Sequence, residues 1–211
     1  MRKVLISALI LVIFASCSLA ETIKLPEPNK TGGMPLYDAV TNRHSSREFA
    51  DTAITLQELS DLLYITAGVN RPESGLRTYP VAMGLQDTFI YVFNYEGVYK
   101  YDALTHSLEL IASGDHRNET GKQDFVSIAA VNLAYVHDMS LWKDSKAPKE
   151  LIASWGFAHT GAAMQNAYLF AASKGWNAVV RGSFDSEKLS QLMKLNEDQQ
   201  IKLIHTIGLR P

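Results

Sequence analysis

No proline interrupts the stretch between Pro148 and Gly175, and this stretch constrains the fold more than any other part of the chain. The pattern predicts one long helix from Pro148 to about Lys174, stopped at Gly175. Its interior carries Gly156, Ala158, Gly161, Ala162 and Ala163, small residues that let another backbone approach closely. Such a face serves a tightly packed monomer core or the contact between two copies of the chain.

Shorter elements surround it. Leu36, Ala39 and Val40 give a short apolar helical face that ends at Arg43. Thr55 opens a second helix with Glu58 three residues on, the pattern of a capping box. Leu56, Leu59, Leu62 and Leu63 follow at helical spacing, and Gly68 closes the helix. Residues 69–87 read as loop, with Pro72, Gly75, Pro80 and Gly84. Residues 88–94 read as a buried strand, 98–102 as its hairpin partner and 107–111 as a third strand. Later strands are expected over 131–136, 176–180 and 201–207, with Asp185 capping a helix over 186–193. Hairpin-linked strands early and crossover-linked strands late predict an α+β fold of three layers. Its central sheet is expected to be mixed, partly antiparallel, and flanked by helices.

The first twenty residues are read as a targeting segment rather than as structure. Arg2 and Lys3 form a basic start, residues 4–15 an apolar run, and Ser18-Leu19-Ala20 a site for a signal peptidase. The run falls short of the roughly 20 residues that a bilayer span needs. Phe14-Ala15-Ser16-Cys17 also resembles a lipobox, which makes Cys17 a possible lipid anchor. The expected organisation is a signal peptide over 1–20, a linker over 21–33 and one domain over 34–211. The protein is thus expected in the periplasm, or in the envelope as a lipoprotein acylated at Cys17.

Charge excludes some partners. The formal charge is −2, and removing Arg2 and Lys3 leaves 18 bases against 22 acids, or −4, so nothing points to nucleic acid. There is no Gly-x-Gly-x-x-Gly after a strand, no Walker loop and no Gly-x-Ser-x-Gly. The six histidines show no metal-ligand spacing, so no metal site is assigned; His137 and His159 read as structural. Trp142, Trp155 and Trp176 read as core or interface aromatics.

Chemistry is carried by arginines. Arg43-His44-Ser45-Ser46-Arg47 sets two guanidinium groups around two hydroxyls, a combination that suits an oxyanion. Arg77-Thr78-Tyr79-Pro80 follows, with Gln86 shortly after, and Arg181-Gly182 comes directly after the apolar run Ala178-Val179-Val180. In this order and spacing the three parts resemble the nitroreductase family of FMN-dependent oxidoreductases, over nearly the whole chain from Met34. The run from Arg77 to Ala82 is similar to the thiazoline-forming dehydrogenase branch, with Val81 and Gly84 departing from its usual serine and asparagine.

The resemblance implies a nitroreductase-like fold and FMN as cofactor. It assigns Arg43, His44, Ser45 and Arg47 to the FMN phosphate and ribityl chain, and Arg77 to the charge that develops on the reduced flavin ring. It places a backbone N–H near Val180, Arg181 and Gly182 opposite flavin N5, and Gln86 and Gln123 along the flavin. Arg210 stands in for the basic residues of a C-terminal arm that relatives carry, and the short end implies a smaller dimer interface. The expected protein is a homodimer with flavins between the chains, moving hydride between a reductant and a conjugated small molecule such as a nitroaromatic or quinone. No residue is assigned as catalytic, because the flavin performs the transfer. NAD(P)H is the familiar donor, but export would remove the protein from it. Two other readings stay open at this level: a non-catalytic flavin-binding envelope protein, and a flavin-free dimer.

Overall fold

The structure, a computed structural model, describes residues 21–211. The expected signal peptide and Cys17 lie outside the described residues. The elements are β1 (Thr22–Lys24), α1 (Leu36–Asn42), α2 (Leu56–Ala67), β2 (Val69–Arg71), β3 (Leu76–Arg77), β4 (Thr88–Phe93), β5 (Gly97–Asp102), β6 (Ser107–Ser113), β7 (Val131–Asp138), α3 (Lys149–Ser173), β8 (Asn177–Arg181), α4 (Ser186–Leu192) and β9 (Gln199–Gly208). Seven strands form one sheet in the order β1-β6-β5-β4-β7-β9-β8, and β2 and β3 make a separate small ribbon. Among the described residues no helix is long and apolar enough to cross a membrane.

Alternation along the strands decides which side of the sheet each residue covers. Ile90, Val92, Leu133, Tyr135 and Ala178 build one core with Leu62 and Leu63 of α2 and with Ala163, Ala167 and Ala171 of α3. Their neighbours Tyr91, Phe93, Ala134 and Val136 build a second core with Leu189 of α4 and Met193. Helices therefore cover both faces of the sheet, which is the three-layer α+β arrangement expected.

Two expectations need correction. Every pairing in the seven-stranded sheet is antiparallel, so the mixed pairing foreseen for the late strands is not found there. The chain does cross over through α3 from β7 to β8, but β9 lies between these two and pairs antiparallel with both. Residues 21–33 are also more than a linker. Thr22–Lys24 forms the edge strand on β6, Leu25 is buried, and the Asn29 N–H and Nδ2 donate to Asp61 at 2.8 and 3.0 Å. A three-residue edge strand is too short to show alternation.

The capping box is present: Thr55 Oγ1 accepts from the Glu58 N–H at 3.2 Å, and Glu58 Oε2 accepts from the Thr55 N–H at 2.9 Å. Gly68 ends α2 as expected, but without a left-handed cap. Its backbone is extended (φ −70°, ψ 160°), and a Cβ there would come within 2.5 Å of the Tyr64 ring. Gly175, after α3, does take the left-handed conformation at φ +70°.

The small residues of α3 divide in the same way. A Cβ on Gly156 would lie 2.5 Å from His137 Nδ1, whereas nothing lies within 4 Å of a Cβ on Gly161. Alanine would favour an exposed helix position by ~1 kcal/mol, yet Gly156→Ala is expected to lower stability, as overpacking commonly costs ~1–3 kcal/mol. Urea denaturation reads the sign directly. A variant as stable as the wild type would mean that the His137 ring moves aside freely.

Candidate functional site

Segment 43–50 is fastened along the outer edge of β8. The Ser46 N–H donates to the Ala178 carbonyl at 2.9 Å, Asn177 Nδ2 donates to the Glu48 carbonyl at 2.6 Å, and the Ala50 N–H donates to the Leu209 carbonyl at 3.0 Å. The last of these draws the C-terminal end alongside, so that exposed Arg210 directly follows a residue bound to the segment. Arg43 ends α1, its N–H donating to the Ala39 carbonyl at 3.0 Å. Its guanidinium lies 5.3 Å from the centre of the Tyr168 ring. The Ser45 and Tyr168 hydroxyls are 2.9 Å apart, and the Tyr168 oxygen accepts the Val180 N–H at 2.9 Å.

The fold thus gathers Arg43, Ser45 and Val180 around one hydroxyl. Tyr168 had no place among the sequence candidates, because on a helix rich in alanine it reads as core. His44 and Arg47 are exposed, the His44 ring bonding the Asn42 carbonyl through Nδ1 at 2.8 Å. Among the described residues neither Arg43 nor Arg47 forms an ion pair with a carboxylate. An uncompensated Arg43 at the hydroxyl pair, with exposed Arg47 two residues beyond Ser45 in the chain, suits a bound oxyanion.

Arg181 goes elsewhere. Adjacent strand residues face opposite sides of a sheet, so Arg181 points away from Tyr168 and is buried. Its Nε donates to Thr206 Oγ1 at 2.9 Å, Nη1 to the Thr120 carbonyl at 2.8 Å, and Nη2 to Asn132 Oδ1 at 3.1 Å and Thr120 Oγ1 at 3.2 Å. Burial without a carboxylate lowers its pKa to about 10. This side chain clamps the loop before β7 to β8 and β9, and is not free to hold a cofactor; only the backbone here stays available. Gly182 is exposed and a Cβ on it would meet nothing closer than Leu203 Cδ2 at 3.8 Å. Gln123, beside Gly121 and the Arg181 guanidinium, has a buried Oε1 without a hydrogen-bond partner. His205 packs its ring 4.3 Å from that of Tyr168. Burial first, and then the Arg181 charge, lowers its pKa to about 3, so this ring is neutral at ordinary pH.

Arg77 and Gln86 form a second group, sharing no hydrogen-bonding partner with the first. Arg77 Nη1 donates to the Thr88 carbonyl at 2.8 Å, and the side chain lines a cavity of about 210 Å³ with Phe89, Lys100 and Asp102. Gln86 Nε2 reaches the Gly84 carbonyl at 3.4 Å, while its Oε1 is buried without a partner. The loop between them turns through Met83 at φ +55° and Gly84 at φ +74°. Glycine is a residue that tolerates such values well, which accounts for its place at position 84.

A buried carboxylate holds this loop from below, and no sequence signal pointed to it. Asp87 is fully buried. His159 donates from Nδ1 to Asp87 Oδ1 at 2.8 Å and accepts the Ala82 N–H at Nε2, also at 2.8 Å. His137 Nε2 and Trp142 Nε1 donate to Asp87 Oδ2 at 3.0 and 2.8 Å. Burial alone would raise the Asp87 pKa, but the hydrogen bonds from His137 and His159 outweigh it and leave it below the usual carboxylate value. Both histidines and Trp142 are therefore structural, as expected, with Asp87 as their common acceptor.

Comparison with known proteins agrees with this architecture. The model of the nitroreductase family matches residues 40–209. A Methanocaldococcus jannaschii protein provisionally named a nitroreductase is 30% identical over 189 residues, spanning 83% of this chain and 90% of its own. A crystal structure from Ralstonia eutropha JMP134, also provisionally named a nitroreductase, is 39% identical with a TM-score of 0.85, covering 98% of this chain and 97% of that one. At 11% identity, a Staphylococcus epidermidis structure provisionally described as an NAD(P)H:FMN oxidoreductase shares the fold with a TM-score of 0.64, over 87% of this chain and 91% of its own.

Proposed function

The chain belongs to the nitroreductase family, and from that premise we propose that it is an FMN-dependent oxidoreductase moving hydride between a reductant and a conjugated acceptor such as a nitroaromatic or quinone. The observation that carries the reading is Arg43 and Ser45 brought together at the Tyr168 hydroxyl on the edge of β8, with exposed Arg47 two residues further on and, among the described residues, no carboxylate partner for either arginine. The donor set fits a phosphomonoester: guanidinium forks match phosphate oxygens, and Arg210 sits at the end of the adjoining strand. Bound there, FMN would supply the hydride carrier. The chain itself would grip the phosphate through Arg43, Ser45 and Arg47 and offer the exposed backbone at Gly182 to the ring.

Arg77 and Gln86 share no hydrogen-bonding partner with Arg43 or Ser45. In a homodimer with the flavin between subunits they would come from the second copy, with Arg77 as a preorganised cation for charge developing on the ring. Exposed Leu36, Tyr37 and Val40 on α1 supply apolar surface for such an association. Gly161, open to solvent space, is the position where bulk would obstruct it without touching the chain's own core. Gly161→Leu is expected to shift the protein toward monomer and to lose flavin in parallel, read in one run by light scattering with an absorbance detector. A monomeric yet flavin-loaded wild type would end the interface model.

Export, drawn from residues 1–20, puts two routes within the proposal, an electron donor other than NAD(P)H or work as an oxidase or dehydrogenase, and the run from Arg77 keeps the thiazoline-forming branch within it. The test begins with the visible spectrum of the purified protein after FMN addition and gel filtration. Retained flavin that bleaches under an anaerobic reductant and recolours with an added quinone or nitroaromatic is the expected result. A protein that takes up no FMN sinks the reading, and one whose FMN never bleaches is a flavin carrier instead.

A further inference from the structure

Tyr168 joins two parts of the molecule that are far apart in sequence. Its oxygen accepts the Val180 N–H at 2.9 Å, and its hydroxyl lies 2.9 Å from Ser45 Oγ. We propose that Tyr168 is the positioning residue of the phosphate-binding segment, its hydroxyl holding Ser45 in register with the end of β8 and its ring seating Arg43. The proposal rests on the flavin reading above.

Hydrogen-bond direction supports it. A serine that serves an oxyanion must donate its single O–H to that anion. Ser45 is then left with only its lone pairs for Tyr168, so the tyrosine O–H donates to Ser45 while its own lone pair takes the Val180 N–H. Each group in the chain Val180 N–H, Tyr168, Ser45 then donates onward, and the last donor belongs to an exposed residue. The ring is held as well: it is buried, packs 4.3 Å from His205 and carries the Arg43 guanidinium at 5.3 Å. A phenylalanine would keep all the ring contacts and lose only the hydroxyl tie. A tyrosine that merely filled the core would affect every flavin equally, whether or not it carried a phosphate.

FMN and riboflavin are therefore titrated into flavin-free full-length protein, wild type and Tyr168→Phe. The expected result is an FMN affinity about tenfold weaker, the scale of one hydrogen bond to a charged site, with riboflavin affinity nearly unchanged. Ser45→Ala should produce the same loss of preference for FMN, and adding Tyr168→Phe to it should cost little more, since the two act through one contact. Ser45 is exposed, so this second variant does not threaten the fold. Hydrogen exchange gives a readout without ligand: the Val180 amide should exchange faster in flavin-free Tyr168→Phe. An unchanged FMN-to-riboflavin preference, additive losses in the double variant, or unaltered Val180 exchange would overturn the role of Tyr168 alone. A wild type that binds neither flavin would overturn the flavin reading itself, which separates the two failures.

Discussion

Protein carrying both Arg43→Ala and Arg47→Ala is expected to bind FMN about a hundredfold or more weakly than the wild type, with its fold retained. Charge-assisted hydrogen bonds to an anion typically contribute ~1.5–3 kcal/mol each, and each ~1.4 kcal/mol is tenfold in affinity. Neither arginine is paired with a carboxylate among the described residues, so no buried acid is orphaned by removing them. Arg43 also lies over the Tyr168 ring, and its loss takes away some packing along with charge. The wild-type affinity should fall with added salt more steeply than that of the double variant, because exposed charges are screened. Fluorescence titration at two ionic strengths measures both effects. Equal affinity in the two proteins would remove the phosphate from this edge of the sheet.

The second large effect concerns stability. Asp87→Ala is expected to cost ~3–5 kcal/mol, the usual result of removing one partner from a buried charged network. Three donors lose their acceptor at once: His137 Nε2, His159 Nδ1 and Trp142 Nε1. The Ala82 amide and the turn through Met83 then rest on a histidine that nothing orients. The loss should depend on pH. The folded pKa of Asp87 lies below its ordinary 3.8, so its contribution is complete above that value and disappears as pH falls through the lower folded one. Urea denaturation of wild type and variant, at neutral pH and in acid, should show a wide gap that narrows only under strongly acidic conditions. A gap of under about 1 kcal/mol at neutral pH would place Asp87 among ordinary polar residues.

Local pattern was enough for much of this molecule. The long helix between a proline and a glycine, the capping box of Thr55 and Glu58, Asp185 as a cap and the buried strands were all legible, since each is written in residues a few positions apart. The arginine-rich segment was legible too, because its members lie within five residues. What those residues touch was not. Ser45 meets Tyr168 across 123 residues, Asp87 gathers partners 50, 55 and 72 residues away, and Arg181 reaches Thr120, Asn132 and Thr206. Strand order and face decide these meetings. The insertion of β9 between β7 and β8 made the sheet antiparallel throughout, and the alternation of β8 sent Val180 to Tyr168 and Arg181 to the opposite side. Periodicity shows that a strand alternates, but only the packed sheet says which of its two sides faces the helices. For that reason the sequence marked the residues of the candidate site, and the tertiary structure decided which of their side chains are free to serve it.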